Sequence, residues 1–160
     1  MTPTIPIADV REFMLRHLTD VFDTMLSMKA VQVPNASVPS FGERVSGSVG
    51  FAGETVTGAV YLHLSASFAR QIAAAMLGQA PEEITGESDV NDVVGEATNM
   101  LTGGLKSWLC DAGAPCAVST PGIIRGTAFA IDPMPDVIRD WLVFECGKDR
   151  FAVEVHIKFN

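Results

Sequence analysis

The sequence predicts one α+β domain, with long α-helices packed on one face of a largely antiparallel β-sheet. Three observations predict it. Residues 7–28 and 88–111 repeat their apolar positions at intervals of three and four, the period of an amphipathic helix. Two pairs of alternating segments, within 43–64 and 142–159, are each joined by a short turn-forming sequence and read as hairpins. Helices set among such hairpins give the α+β arrangement. The chain of 160 residues has room for one well-packed core and would be cramped with two.

Each element has its own justification. Residues 1–6 read as a loose tail, since Pro3 and Pro6 oppose an early helix, and 7–160 as the domain. The first helix, from 7 to about 28, carries Val10, Phe13, Met14, Leu18, Val21, Phe22, Met25 and Met28 on one side. Asp9 and Glu12 open it, where the helix dipole favours acidic charge. Its methionines read as core filler. Pro34, Pro39 and Gly42 mark a loop over 31–42. Strands at 43–53 and 56–64 follow, with Val45, Gly47, Val49 and Phe51 sharing a face and Ala52-Gly53-Glu54 turning the chain. Gly47, Gly50 and Gly58 inside these strands imply bulges or helices packed close to the sheet.

Ser65 or Ser67 caps a short helix that stops at Gly78. A polar loop over 80–86 leads to the long helix at 88–111, with Thr85 or Ser88 as its cap and Gly113 and Pro115 as its end. Residues 118–125 read as a strand with a Pro-Gly interruption, and 127–131 as another short extended piece. Asp132, Asp136 and Asp140, set among prolines, read as a solvated loop. The last hairpin turns at Gly147-Lys148-Asp149 and alternates strictly through Phe151, Val153, Val155, Ile157 and Phe159. At a sheet edge this long strand could pair with a second copy.

The helix at 88–111 carries the candidate chemistry. At about 100° per residue, Asp92, Glu96, Asn99 and Gly103 fall within a sector of roughly 60°. Val93, Val94, Ala97, Met100, Leu101, Leu105, Trp108 and Leu109 fall on the other side. Gly103, in line with the stripe, would let another backbone approach, and it costs about 1 kcal/mol in a helix interior. On spacing alone, an acidic and polar stripe on an amphipathic helix reads as a solvated face.

The pattern Asp92-x3-Glu96-x2-Asn99, a small residue four positions on, and Ser119-Thr120-Pro121-Gly122 leading into a strand resemble the signature of the CheC/CheX/FliY family of chemotaxis phosphatases. A single copy on so short a chain is most similar to the CheX branch. The first helix holds no second copy, which implies one site per chain. The resemblance covers about residues 10–159 and implies a CheC-like fold. It implies hydrolysis of the aspartyl phosphate of a response-regulator receiver domain of the CheY type. Asn99 would orient the attacking water, and Glu96 would pair with the receiver's lysine. Asp92 would serve docking, Pro121 would shape the groove and Gly103 would give clearance. The Mg²⁺ would come from the receiver, with no metal or other cofactor bound by this chain. A homodimer is implied by the CheX branch, and a CheD-like adaptor is a further candidate partner. A module that docks on a receiver or a flagellar-switch component without catalysis is the alternative.

Composition excludes several other classes. Net charge is −8, and four lysines and seven arginines without a run suit neither nucleic acid nor an anionic membrane. Apolar runs fall far short of the ~20 residues that cross a bilayer. Residues 1–6 lack a basic start and an apolar core, so no signal peptide is read there and a cytoplasmic location is expected. Cys110, Cys116 and Cys146 read as buried small hydrophobes in a reducing compartment. His17, His63 and His156 lie far apart in sequence without metal-ligand spacing. No Gly-x-Ser-x-Gly, Gly-x-Gly-x-x-Gly or P-loop is present.

Overall fold

The structure is a computed structural model and describes residues 5–160. In chain order it comprises α1 (Ile7–Leu26), β1 (Val31–Gln32), β2 (Glu43–Ala52), β3 (Val56–Ser65) and α2 (Ala66–Leu77). A single 3₁₀ turn (Pro81–Glu83) leads to α3 (Glu87–Asp111), then β4 (Ala117–Val118), β5 (Gly122–Thr127), β6 (Ile138–Cys146) and β7 (Asp149–Phe159). The sheet order is β1-β6-β7-β3-β2, with β4 and β5 both lying along the outer side of β2. All pairings are antiparallel. Val49 faces Val60, Leu62 faces Val153 and Phe144 faces Phe151. The α+β expectation holds.

Three helices cover one face of this sheet. α3 lies over β2 and β3, α2 touches the same two strands, and α1 reaches β6. The core between the layers centres on Phe151. Its ring stacks on Phe22 of α1 at 4.8 Å, and packs against Phe68 of α2 at 5.3 Å and Phe144 of β6 at 5.4 Å. Gly47 explains how α3 comes so close. A Cβ there would collide with the Thr98 hydroxyl, so the missing side chain is the space the helix occupies. A Cβ on Gly58 would instead collide with the His156 carbonyl of β7 and then with the Phe51 ring. Thr98 and Thr102, buried under the helix, return their hydroxyls to the carbonyls of Val94 and Thr98, at 2.7 and 2.8 Å. That satisfies groups that would otherwise be costly to bury.

Several sequence expectations are corrected. α1 ends at Leu26, not 28, because Ser27 turns left-handed at φ 52. Met25 is exposed rather than core. The loop over 31–42 contains a two-residue strand against β6. Ser65 is the cap of α2 and accepts from the Phe68 N–H, so of the two serines considered it is the first. Neither Thr85 nor Ser88 caps α3. Gly86 does, with no side-chain bond. The strand expected over 118–125 is two strands, β4 and β5. The extended piece at 127–131 is absent, since Thr127 ends β5 and Ala128 turns at φ 52. The second hairpin begins at Ile138 rather than 142.

The last strand, β7, is interior, flanked by β6 and β3, so its edge is not free for a second copy. Asp140 is not a solvated loop residue: it lies on β6 and pairs with Arg11 of α1 at 2.7 Å. The cysteines are half-buried and free. Residues 1–4 of the expected tail lie outside the described residues, while Ile5 is buried in the core.

The sheet face away from the helices holds a buried polar cluster that sequence spacing concealed. Glu154 on β7 is buried and accepts three hydrogen bonds: from His63 on β3 at 2.9 Å, from His156 at 2.5 Å and from Arg139 on β6 at 2.6 Å. His63 Nδ1 in turn lies 2.6 Å from the buried Ser46 hydroxyl. Burial pushes the Glu154 carboxyl up, and its three donors outweigh that and hold it below the usual carboxylate range. Burial pushes the His63 imidazole down, against the pull of Glu154. The network therefore reads as a carboxylate facing a neutral imidazole, with Ser46 donating to Nδ1 and Nε2–H donating to Glu154. Trp141 stacks on His63 at 5.1 Å, and Arg44 lies 3.6 Å above the Phe129 ring.

Candidate functional site

α3 sets the site. Its sheet-facing side is fixed by Thr98 over Gly47 and by buried Val94, Leu101 and Leu105. Asn99, about 100° further round, therefore leaves the sheet. Asp92 and Glu96 are exposed, Asn99 and Gly103 are half-buried, and all four lie on one stripe. Among the described residues, no side chain bonds to Asp92, Glu96 or Asn99. The stripe's one carboxylate pair and one amide are thus free for something outside the chain.

One wall of the stripe comes from the segment between β4 and β5. Ser119 holds on to β2 by exchanging bonds with Gly50, its N–H donating to the carbonyl at 2.8 Å and its hydroxyl accepting at 2.9 Å. The chain then leaves the ladder and places Pro121 against α3. A Cβ on Gly95 would lie 3.4 Å from Pro121 Cβ and 3.9 Å from Ile123. Pro121 thus stands beside the stripe, between it and the sheet, although it is distant in sequence. Farther up the same strand, Arg125 reaches α3. Its Nε and Nη2 donate to Asn91 Oδ1 at 3.1 and 2.7 Å, and Nε lies 3.7 Å from Glu87. Sequence reasoning missed Arg125 and Asn91, since nothing in either residue's own surroundings pairs them.

The two adjacent glycines of α3 do different work. Among the described residues nothing packs within 4 Å of a Cβ placed on Gly103, so that position is open to the outside. Gly104 is filled from within: the His17 ring of α1 occupies the place of its side chain and bonds the Met100 carbonyl at 3.0 Å. Phe13 stacks on His17 and on Trp108, at 5.2 and 5.4 Å, completing the α1–α3 contact behind the stripe.

None of the best-formed cavities among the described residues is lined by the stripe. A cavity of about 210 Å³ lies on the opposite side of the sheet, between the ends of β3 and β7 and the loop carrying Asp132, Met134 and Pro135. It shares no residue with the stripe. An open, ridged surface suits a protein partner better than a small molecule, which favours a concave pocket. Among the described residues no group of three His, Cys, Asp or Glu is arranged to hold a metal ion, and no helix is long and apolar enough to cross a membrane. The Ser46–His63–Glu154 string has the composition of a hydrolase triad, but all three residues are sealed from solvent.

Helices on one face of this antiparallel sheet, with an Asp-Glu-Asn stripe walled by a proline, define a CheC-like domain. The family described as chemotaxis phosphatase CheX matches residues 45–139, which include the whole stripe and Pro121. The chain belongs to that family. It is similar in structure to a chemotaxis protein CheX from Vibrio vulnificus, with 26% identity and a TM-score of 0.80 over 97% of this chain and 100% of that one. A CheC-like superfamily protein from Shewanella sp. PV-4 has 29% identity and a TM-score of 0.78, over 94% and 97%. The chain also shares its fold, at 20% identity and a TM-score of 0.74 over 94% and 98%, with a chain of the CheX-CheY-BeF3-Mg complex from Borrelia burgdorferi. Among curated proteins nothing matches.

Proposed function

We propose that this protein hydrolyses the aspartyl phosphate of a CheY-like receiver domain. The observation that carries the reading is the free stripe itself: an exposed carboxylate and a half-buried amide one turn apart, beside the Pro121 wall and an open Gly103. Membership of a chemotaxis phosphatase family and a shared fold with a CheX found in complex with CheY support it.

The chemistry follows from what a receiver lacks. Its phosphoryl group is already held by Mg²⁺ and a lysine, both supplied by the receiver. What remains is a water in line with the P–O bond. A neutral amide cannot act as a base, but it holds a water by hydrogen bonds, as a glutamine does in GTPases. Asn99 would take that role. Glu96 would pair with the receiver lysine and fix the approach, with Asp92 adding to docking and Gly103 giving the partner clearance. The water attacks phosphorus, the aspartate carboxylate leaves, and inorganic phosphate is released. The gain lies in positioning, where a displacement of ~1 Å costs about 100-fold.

The test is decay of a phosphorylated receiver with substoichiometric wild type, Asn99→Ala and Glu96→Ala. Accelerated decay lost in both variants supports the proposal. Binding with decay at the intrinsic rate supports the non-catalytic docking module instead, and absence of binding removes both.

A further inference from the structure

β5 is an edge strand. β2 pairs with it on one side, and among the described residues no strand lies along the other. Pro121 sits just before it, past a break in the ladder, and meets α3 at Gly95, which has no side chain to grip. One polar link joins this strand to the helix: the Arg125 guanidinium, with two donors on Asn91 Oδ1. Arg125 and Asn91 are both partly buried, so the bond is only partly exposed to water. The 3.7 Å approach to Glu87, whose side chain is 72% exposed, adds little. The link matters more because α3 starts without a capping side chain, and Asn91 lies only one turn inside it.

We infer that Arg125 is a positioning residue: clamped on Asn91, it sets the distance and angle between the Pro121 wall and the Asp92–Glu96–Asn99 stripe. This role rests on the phosphatase reading. Arg125 touches no reacting atom and acts through Asn91, which directly precedes Asp92 and lies one turn from Gly95. Two donors converging on one oxygen fix an angle as well as a distance, which a lysine ammonium does not reproduce. A loosened clamp leaves the Glu96 charge in place for docking and misplaces the water. Its signature is therefore a loss in kcat with KM held.

The experiment measures phosphate release from a phosphorylated receiver, with hydrogen exchange of β5 and α3 in the free protein. The variants are Arg125→Ala, Arg125→Lys, Asn91→Ala, Asn91→Asp and the double alanine variant. Arg125→Ala and Asn91→Ala each lower kcat roughly tenfold, with KM within about twofold. The double variant is no slower than either single one, since the two residues act as a unit. Asn91→Asp, which keeps the acceptor oxygen, retains kcat, while Arg125→Lys does not. Exchange quickens over residues 122–127 in Arg125→Ala, the strand the clamp holds, and not over 92–110.

An unchanged kcat in Arg125→Ala, or additive losses in the double variant, overturns the positioning role whatever exchange shows. A wild type that leaves decay at its intrinsic rate is a separate failure. It removes the phosphatase reading and the role that rests on it, and unchanged exchange over 122–127 would then remove the clamp as well.

Discussion

Pro121 stands 3.4 Å from the point where a side chain on Gly95 would begin, so the wall beside the stripe is seated on a bare patch of helix. That spacing admits a methyl group and little more. Gly95→Ala is expected to keep the wall in place and to stabilise α3 by up to about 1 kcal/mol through helix propensity. Gly95→Leu is expected to push Pro121 outward and lower phosphatase activity without unfolding the protein. Thermal denaturation alongside receiver dephosphorylation checks both, and full activity in Gly95→Leu would remove Pro121 from the site.

Gly103 and Gly104 are neighbours with opposite expected behaviour. Gly103→Leu enters open space, so stability holds or rises. If that space is the partner's clearance, receiver binding weakens at the same time. Gly104→Ala meets the His17 ring and is expected to destabilise the fold by about 1–3 kcal/mol. Denaturant titrations separate the two, and a Gly103→Leu protein that binds its receiver normally argues against any role in clearance.

Asn99 and Glu96 are expected to fail differently. If Asn99 holds the water as proposed, Asn99→Ala should lower kcat by about 100-fold while leaving docking intact. Glu96→Ala would remove one partner of the proposed charge pair with the receiver lysine and should then raise KM by about tenfold or more. Steady-state kinetics on the phosphorylated receiver reads both, and a common loss in KM alone would cast Asn99 as a docking residue.

Acid is expected to destabilise the fold through the buried cluster. The native imidazole of His63 has its pKa lowered by burial, and the native carboxyl of Glu154 is held low by its three donors. In each case the unfolded chain binds the proton first as pH falls. His63 therefore costs stability once pH drops below its ordinary value of 6.5, and Glu154 below its ordinary value of 4.5. Each contributes at most about 1.4 kcal/mol per pH unit. The melting temperature should fall in two stages below neutrality, and Glu154→Gln should flatten the lower one. A melting temperature constant from pH 7 to 4 would contradict this account.

Much of the fold was legible because periodicity is local. The spacing of Val10, Met14, Leu18 and Phe22, and the alternation from Phe151 to Phe159, marked helix and strand and the faces they bury. Gly47 implied a bulge or a close helix, and Thr98 seated over it makes it the second. The stripe was legible for the same reason, since Asp92, Glu96 and Asn99 share one helix face whatever the helix packs on. Errors came where local signals compete. Ser88 has the chemistry of a cap, but Gly86 takes that place.

By itself the sequence determined the class of elements, their hairpins, the family signature and the residues of the stripe, all properties of segments a few turns long. The tertiary structure alone decided which strand lies inside the sheet, that Pro121 and Arg125 meet α3 at Gly95 and Asn91, and that His63, His156 and Arg139 converge on Glu154. The reason is physical. A segment's period records which face it buries, but its neighbours are chosen by register and packing summed over the whole sheet. His63 and Glu154 become partners only because β7 pairs with β3 in the one register that sets Val153 against Leu62 in the core and leaves Glu154 and His63 together on the opposite face.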